Sequence, residues 1–253
     1  VLDPGETVDS RPSWSNNAAT AQILAGALTS LTGPPGATYV LDDAAGSYGS
    51  VPAGGTQTCI DCYAVSVAAP AGRPVQHWDA RATEVLNPGD DGHVTWTLHV
   101  GDSFSDVPRT SSFYRFVETL LHRGITAGCG GASYCPGSST TRAQMAPFLL
   151  VAQAGAGYTP LDCSPQTVFA DVPMGHPFCR WIEELAHRGV TSGCGGGNYC
   201  PDAGVRREQM AVFVLRTLDP NLNPPACTTP VFADVPASSP FCRWIEELVR
   251  RGV

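Results

Sequence analysis

Phe104-Ser105-Asp106-Val107-Pro108 returns as Phe169-Ala170-Asp171-Val172-Pro173 and again as Phe232-Ala233-Asp234-Val235-Pro236. From Phe104 to Phe148, adding 65 to a residue number gives its counterpart without a gap, and about half of the pairs are identical. The third copy is offset by 63 from the second and runs to Arg251-Gly252-Val253, about halfway through the unit. Tandem copies of this size stack, bury a shared core and present a repeated surface.

Each unit reads as helix–loop–helix. Phe113, Phe116, Val117, Leu120 and Leu121 fall at i, i+3, i+4, i+7 and i+8, the spacing of one apolar helical face. Phe178, Trp181, Ile182 and Leu185 repeat it, as do Phe241, Trp244, Ile245 and Leu248. Arg123-Gly124, Arg188-Gly189 and Arg251-Gly252 stop these helices, because glycine tolerates the left-handed cap and arginine complements the helix dipole. After a Gly- and Cys-containing loop, Thr141-x-x-Gln144 has the form of a capping box opening a second helix through Met145, Phe148 and Leu149. The next copy places Met210, Phe213 and Val214 there. Residues 155–160 and 219–225 are linkers between units.

The ten cysteines follow the repeat. Cys129 and Cys135 recur as Cys194 and Cys200, and Cys163 with Cys179 recurs as Cys227 with Cys242. The first copy lacks both members of that second pair, with Tyr114 standing where Cys179 would be. Joint presence and joint absence is the behaviour of a disulfide, and Cys59–Cys62 completes five pairs in an oxidising compartment. Closing a loop of about 15 residues is worth roughly 3 kcal/mol. The rival reading is metal, since Cys59-x-x-Cys62 has the form of half a zinc site, but no second such pair completes it.

Residues 1–101 read as all-β, with candidate strands at 6–14, 21–28, 38–41, 59–67, 80–86 and 94–100. Turn chemistry separates them at residues 33–36, 46–49, 52–55 and 88–92. Short strands at this spacing suggest an immunoglobulin-like β-sandwich. Only Gly101-Asp102-Ser103 separates the last strand from the first repeat, so a rigid joint is expected. The expected division is a sandwich at 1–101, repeats at 102–157 and 158–222, and an incomplete repeat at 223–253. Both ends read as the inside of a longer chain. No apolar run approaches the ~18 residues of a membrane span, so a soluble chain is expected.

The openings at Phe104, Phe169 and Phe232, the junctions Gly124-Ile125-Thr126 and Gly189-Val190-Thr191, and the closing motifs Thr141-Arg142-Ala143-Gln144 and Arg206-Arg207-Glu208-Gln209 together resemble the S-layer homology domain. The resemblance covers about 150 residues. It implies a multidomain protein in which mainly α helix–loop–helix repeats follow the all-β sandwich. The repeats would form a pseudo-threefold bundle that attaches extracellular proteins to the bacterial cell envelope, its grooves binding an acidic cell-wall glycan. The family's motif arginine reads the charged sugar, which points to Arg142 and Arg207, and a guanidinium fork suits a carboxylate. Arg142 is equally suited to covering its helix's first turn or pairing with a neighbouring carboxylate. The sequence departs from the family in Gln144 and Gln209 where the motif has Glu, in Arg206 where it has Thr, and in the added cysteines, which resemble a variant of secreted proteins in Gram-negative and related bacteria.

A net charge of −8 argues against a nucleic-acid footprint, and the chain contains no lysine. Among the six histidines, His122 and His187 occupy equivalent helix-end positions, where charge complementarity accounts for them. His77-Trp78-Asp79 lies in the β region, where adjacent residues point to opposite faces. Asp42-Asp43 and Asp90-Asp91 make no contiguous calcium loop. No nucleophile elbow, phosphate loop or zinc-protease motif is present, so no catalytic residue, cofactor or metal site is expected. Asp106, Asp171 and Asp234 are expected to accept backbone hydrogen bonds in the turn before proline. The functional expectation is a non-catalytic surface protein whose repeats bind envelope polysaccharide. The alternative is a self-assembling subunit of an S-layer or filament, its partner other copies of itself.

Overall fold

The computed structural model describes residues 1–87 and 93–253; the turn expected at 88–92 lies outside them. The chain divides into two compact units, Val1–His122 with Ala127–Pro136, and Arg123–Thr126 with Gly137–Val253.

The first unit carries β1 (Thr7–Ser10), β2 (Ser13–Ser15), β3 (Gln22–Thr32), β4 (Thr38–Asp43), β5 (Ala45–Val51), β6 (Thr56–Thr58), β7 (Tyr63–Ala68), β8 (Asp79–Leu86) and β9 (His93–His99), followed by the helix α1 (Tyr114–His122). An antiparallel four-stranded sheet runs β5-β3-β8-β9, a second sheet runs β1-β7-β4, and β2 pairs with β6. Leu28 and Leu31 of β3, Val65 and Val67 of β7, and Ala80 and Ala82 of β8 share one core, so the two sheets face each other across it. Fully burying side chains such as Val65 or Tyr63 is worth about 2 kcal/mol each, which holds the layers together. Trp78 is wholly buried there and donates its indole N–H to Tyr39 Oη at 2.9 Å.

The sheets depart from the sequence expectation: the strand expected over 59–67 begins only at Tyr63, β6 lies where no strand is expected, and two further differences have a clear cause. The strand expected over 6–14 is two strands, broken at Arg11-Pro12, because proline has no N–H for a ladder. Residues 46–49, expected as a turn, lie within β5. Glycine is there for packing: a side-chain carbon at Gly46 would come 2.5 Å from Tyr63 Cζ.

A buried carboxylate occupies the same unit. Glu84 accepts hydrogen bonds from Tyr63 Oη (2.5 Å), Tyr48 Oη (2.6 Å), Trp96 Nε1 (2.6 Å) and Trp14 Nε1 (3.2 Å). Four donors offset the desolvation that would otherwise expel a charge from the core. Burial and Glu84 together push both tyrosine phenols well above their ordinary range, keeping them donors.

The apolar face expected on α1 is rotated. Phe113 and Phe116 are exposed, and the buried stripe is Tyr114, Val117, Glu118 and Leu121. A count of apolar residues could not anticipate that a carboxylate, Glu118, is taken inside because it finds donors there.

The second unit contains α2 (Arg142–Ala154), α3 (Cys179–His187), α4 (Arg207–Leu218) and α5 (Cys242–Arg250). Ala146, Leu150, Phe169, Ile182, Leu185 and Tyr199 form its main core, and Leu215 with Trp244 joins α4 to α5. The expected capping box of α2 is present: Thr141 Oγ1 accepts the Gln144 N–H at 3.2 Å, and Gln144 Oε1 accepts the Thr141 N–H at 3.0 Å. At α4 only half of it survives, Gln209 Oε1 accepting the Arg206 N–H at 3.1 Å, since a guanidinium has no acceptor to return. No helix among the described residues is long and apolar enough to cross a membrane.

Candidate functional site

Two clasps recur and prepare the surface of each repeat. Asp106 accepts the N–H groups of Tyr134 and Cys135, both at 2.8 Å, and Asp171 accepts those of Tyr199 and Cys200, both at 2.7 Å. At Asp106 and Asp171 the expected backbone acceptance is there, with donors that come from the distant Cys loop. Burial pushes the Asp171 carboxyl up, yet the two amides outweigh it and hold the group below its usual range. The second clasp went unread in the sequence. Glu118, Glu183 and Glu246 accept the N–H of Ser103, Val168 and Val231 at 2.9, 2.9 and 2.8 Å, each reaching back 15 residues from a first helix. Their common position in Val117-Glu118, Ile182-Glu183 and Ile245-Glu246 was the available signal.

The structure joins the five expected cysteine pairs: Cys59–Cys62, Cys129–Cys135, Cys163–Cys179, Cys194–Cys200 and Cys227–Cys242. Cys194–Cys200 closes the loop that carries Tyr199, and α2 docks on this loop. The Arg142 N–H donates to Ala203 O at 2.9 Å and the Ala143 N–H to Pro201 O at 2.9 Å.

That docking fixes Arg142. Its side chain is 5% exposed, donates from Nε to Tyr199 O at 2.8 Å, and lies over the rings of Tyr199 and Phe213 at 4.7 and 5.2 Å. Among the described residues its Nη2 has no hydrogen-bond partner. Burial pushes the guanidinium down from its ordinary value while Tyr199 and Asp171 oppose the shift, and a guanidinium stays charged throughout. Arg142 forms one wall of a groove of about 610 Å³ that also holds Thr191, Gln209, Phe213, Arg216 and Trp244. Arg216 lies over the Trp244 ring at 5.2 Å and donates to Gly189 O and Pro220 O at 3.2 Å. Two guanidinium groups, a hydroxyl, an amide and two aromatic rings combine charge recognition with hydrogen bonding and apolar faces.

Arg207 lies apart from Arg142. It is exposed at the start of α4 and lines a second groove of about 790 Å³ with Arg206, Phe232, Asp234, Ser239 and Val253. The two expected arginines therefore line separate grooves, each bounded by residues of more than one repeat.

Residues 103–146 and 168–211 each match the S-layer homology domain. These segments are S-layer homology domains. The chain is 30% identical over 115 residues to the "Cell surface protein" of Thermoanaerobacter kivui, an alignment covering 46% of this chain and 15% of that protein. It is 28% identical over 120 residues to the "Endoglucanase" of Bacillus sp. (strain KSM-635), covering 46% of this chain and 12% of the relative. The chain thus spans under a sixth of either relative's length, and the endoglucanase name describes that protein alone. The S-layer homology matches and the cell-surface relative point to the bacterial cell surface or extracellular space.

Proposed function

We propose that this chain is a non-catalytic surface protein attached to the bacterial envelope through its S-layer homology repeats, which bind an acidic envelope glycan in the grooves at Arg142 and Arg207. The immunoglobulin-like sandwich of residues 1–101 serves as spacer or display domain, with repeats at 102–157, 158–222 and 223–253. The observation that carries the reading is Arg142: a guanidinium held rigid between two aromatic rings, with Nη2 unpaired among the described residues, at the wall of a groove that also offers Thr191 and Gln209. A buried donor without a partner costs about 1–3 kcal/mol, and a carboxylate sugar in the groove would satisfy it through a charge-assisted bond.

Co-sedimentation of the oxidised protein with purified envelope fragments, beside a tube without envelopes, tests this. Pelleting is expected only with envelopes. Arg207→Ala should weaken it, and Arg142→Lys with Arg207→Ala should reduce affinity at least about tenfold, since lysine keeps the charge but loses the planar fork. Unchanged binding by the double variant would overturn the groove assignment. Pelleting in both tubes would instead establish the alternative, self-assembly into a layer or filament.

A further inference from the structure

We propose that His77, Asp79, His99 and His122 form a binding site for a divalent transition-metal cation of the zinc class, and that the ion clips the first-repeat helix α1 to the four-stranded sheet.

Three separate segments deliver the four side chains. Asp79 opens β8 and His99 closes β9, and the two are direct partners in the antiparallel register. His77 lies two residues before Asp79, on the same side, because the intervening Trp78 turns into the core. His122 ends α1. The ligand atoms of all four lie within 4.8 Å of one another. Asp79 Oδ1 is 3.1 Å from both His99 Nδ1 and His122 Nδ1, and Asp79 Oδ2 is 3.0 Å from His77 Nε2. Donors bound at about 2.0–2.1 Å to a tetrahedral zinc stand roughly 3.3 Å apart, so these separations approximate the edges of that polyhedron. Three imidazoles with one carboxylate favour zinc-class ions over magnesium or calcium, which prefer all-oxygen shells.

The outer shell is built as well. His99 is buried, and its second nitrogen, Nε2, lies 2.7 Å from Glu118 Oε2. Glu118 is held by the N–H and hydroxyl of Ser103 at 2.9 and 2.7 Å, and Arg73 Nη2 donates to that hydroxyl at 2.7 Å. A histidine ligand typically passes its other N–H to a carboxylate in this way, which fixes both tautomer and ring orientation. Both nitrogens of His99 face carboxylates, whereas a neutral imidazole carries one N–H. With that hydrogen on Nε2 toward Glu118, Nδ1 turns a lone pair toward the Asp79 carboxylate; a cation between them converts repulsion into coordination.

The site belongs to this joint and not to the repeat as such. His187, the counterpart of His122, is exposed, and Glu183, the counterpart of Glu118, accepts the Val168 N–H and has no histidine against it among the described residues. The first repeat is also the one without the cysteine pair that staples α3 and α5 to the segments before them. A metal clip would restrain α1 at its other end, where His122 meets the sheet.

The test uses the untagged, oxidised full chain, stripped with chelator and titrated with Zn²⁺ alone, followed by calorimetry and elemental analysis. One zinc per chain and a raised melting temperature are expected. Co²⁺ in its place should give the visible absorption of a tetrahedral nitrogen–oxygen site. His77→Ala and His122→Ala should each weaken Zn²⁺ binding at least about tenfold, Glu118→Gln by about 10- to 100-fold, and His187→Ala not at all. His77 is largely exposed, so its variant keeps the fold and the result stays interpretable. Absence of saturable one-to-one uptake, or undiminished affinity in His77→Ala, would overturn the proposal and leave the cluster as a hydrogen-bonded set.

Discussion

Removing the Cys163–Cys179 bridge should destabilise the second unit by about 3–4 kcal/mol. The bridge spans 16 residues, with Cα atoms 6.0 Å apart, and ties the segment before Phe169 to the first turn of α3. Constraint of the unfolded chain by a loop of that length is worth about 3 kcal/mol, against about 2 kcal/mol for the six-residue loops. Cys179 is also 2% exposed in the core, so replacing it with alanine removes buried sulfur and adds up to about 1 kcal/mol for the cavity. The perturbation is Cys163→Ala/Cys179→Ala, with Cys129→Ala/Cys135→Ala as the short-loop comparison. Urea unfolding read by limited proteolysis gives the loss, and new cleavage within residues 158–170 locates it. The first unit supplies an internal contrast. At the position of Cys179 it has Tyr114, whose hydroxyl accepts the Asp102 N–H at 2.6 Å and donates to Asp3. Reductant should therefore open the second unit well before the first. An unchanged urea midpoint for the alanine pair, or equal release of fragments from both units on reduction, would refute the stapling argument.

Two further perturbations test carboxylates that accept several hydrogen bonds. Glu84→Ala leaves two buried hydroxyls and two half-buried indoles without their carboxylate and should cost about 3 kcal/mol or more, whereas Glu84→Gln should cost about 1–2 kcal/mol. Its oxygen can still serve the two indoles while its amide faces two hydroxyls able to accept; equal losses in urea unfolding would refute this assignment of donors. Asp171, depressed in the folded state, contributes stability that is present above the ordinary carboxylate pKa of about 4 and is lost as pH falls through its folded value. The melting-temperature advantage of the parent over Asp171→Asn should be constant near neutrality and shrink below about pH 4, and a gap that widens in acid would reverse the sign.

The repeat and its cysteine pairs were legible in the sequence because they depend on spacing alone. A bridge present in the second and third copies and missing in the first announces itself without any coordinates. The strand β5 was not legible, since Gly46 and Gly49 carry the signature of a turn while Gly46 makes room for the Tyr63 ring. Periodicity misplaced the buried stripe of α1 for a related reason. Glu118 counts as polar in a helical wheel, but inside it meets His99 and Ser103, and Phe113 and Phe116 are left outside. The two arginines could be assigned from the closing motif, yet the aromatic bracket around Arg142 depends on Tyr199 and Phe213 arriving from another repeat. The histidine cluster depends on tertiary arrangement most of all. His77, His99 and His122 converge only once β8 pairs with β9 in register and α1 packs on β9.

The same structural problem is met differently in successive repeats. Each first helix must be held to the segment that precedes it, and each uses a glutamate reaching back 15 residues to a backbone N–H. In the second and third copies a disulfide reinforces that clasp at the helix start. In the first copy the preceding segment is a β-strand already fixed by its sheet, so a covalent link would restrain little that the sheet does not. The helix position freed from cysteine carries instead Tyr114 with its hydrogen bonds at one end of α1, while His122 meets Asp79 at the other. Under the proposed anchoring, the sheets of the first unit are held to the envelope only as firmly as the first repeat is held to them. Fixing both ends of α1 makes that joint part of the sandwich, which is how the first compact unit comes to run through His122.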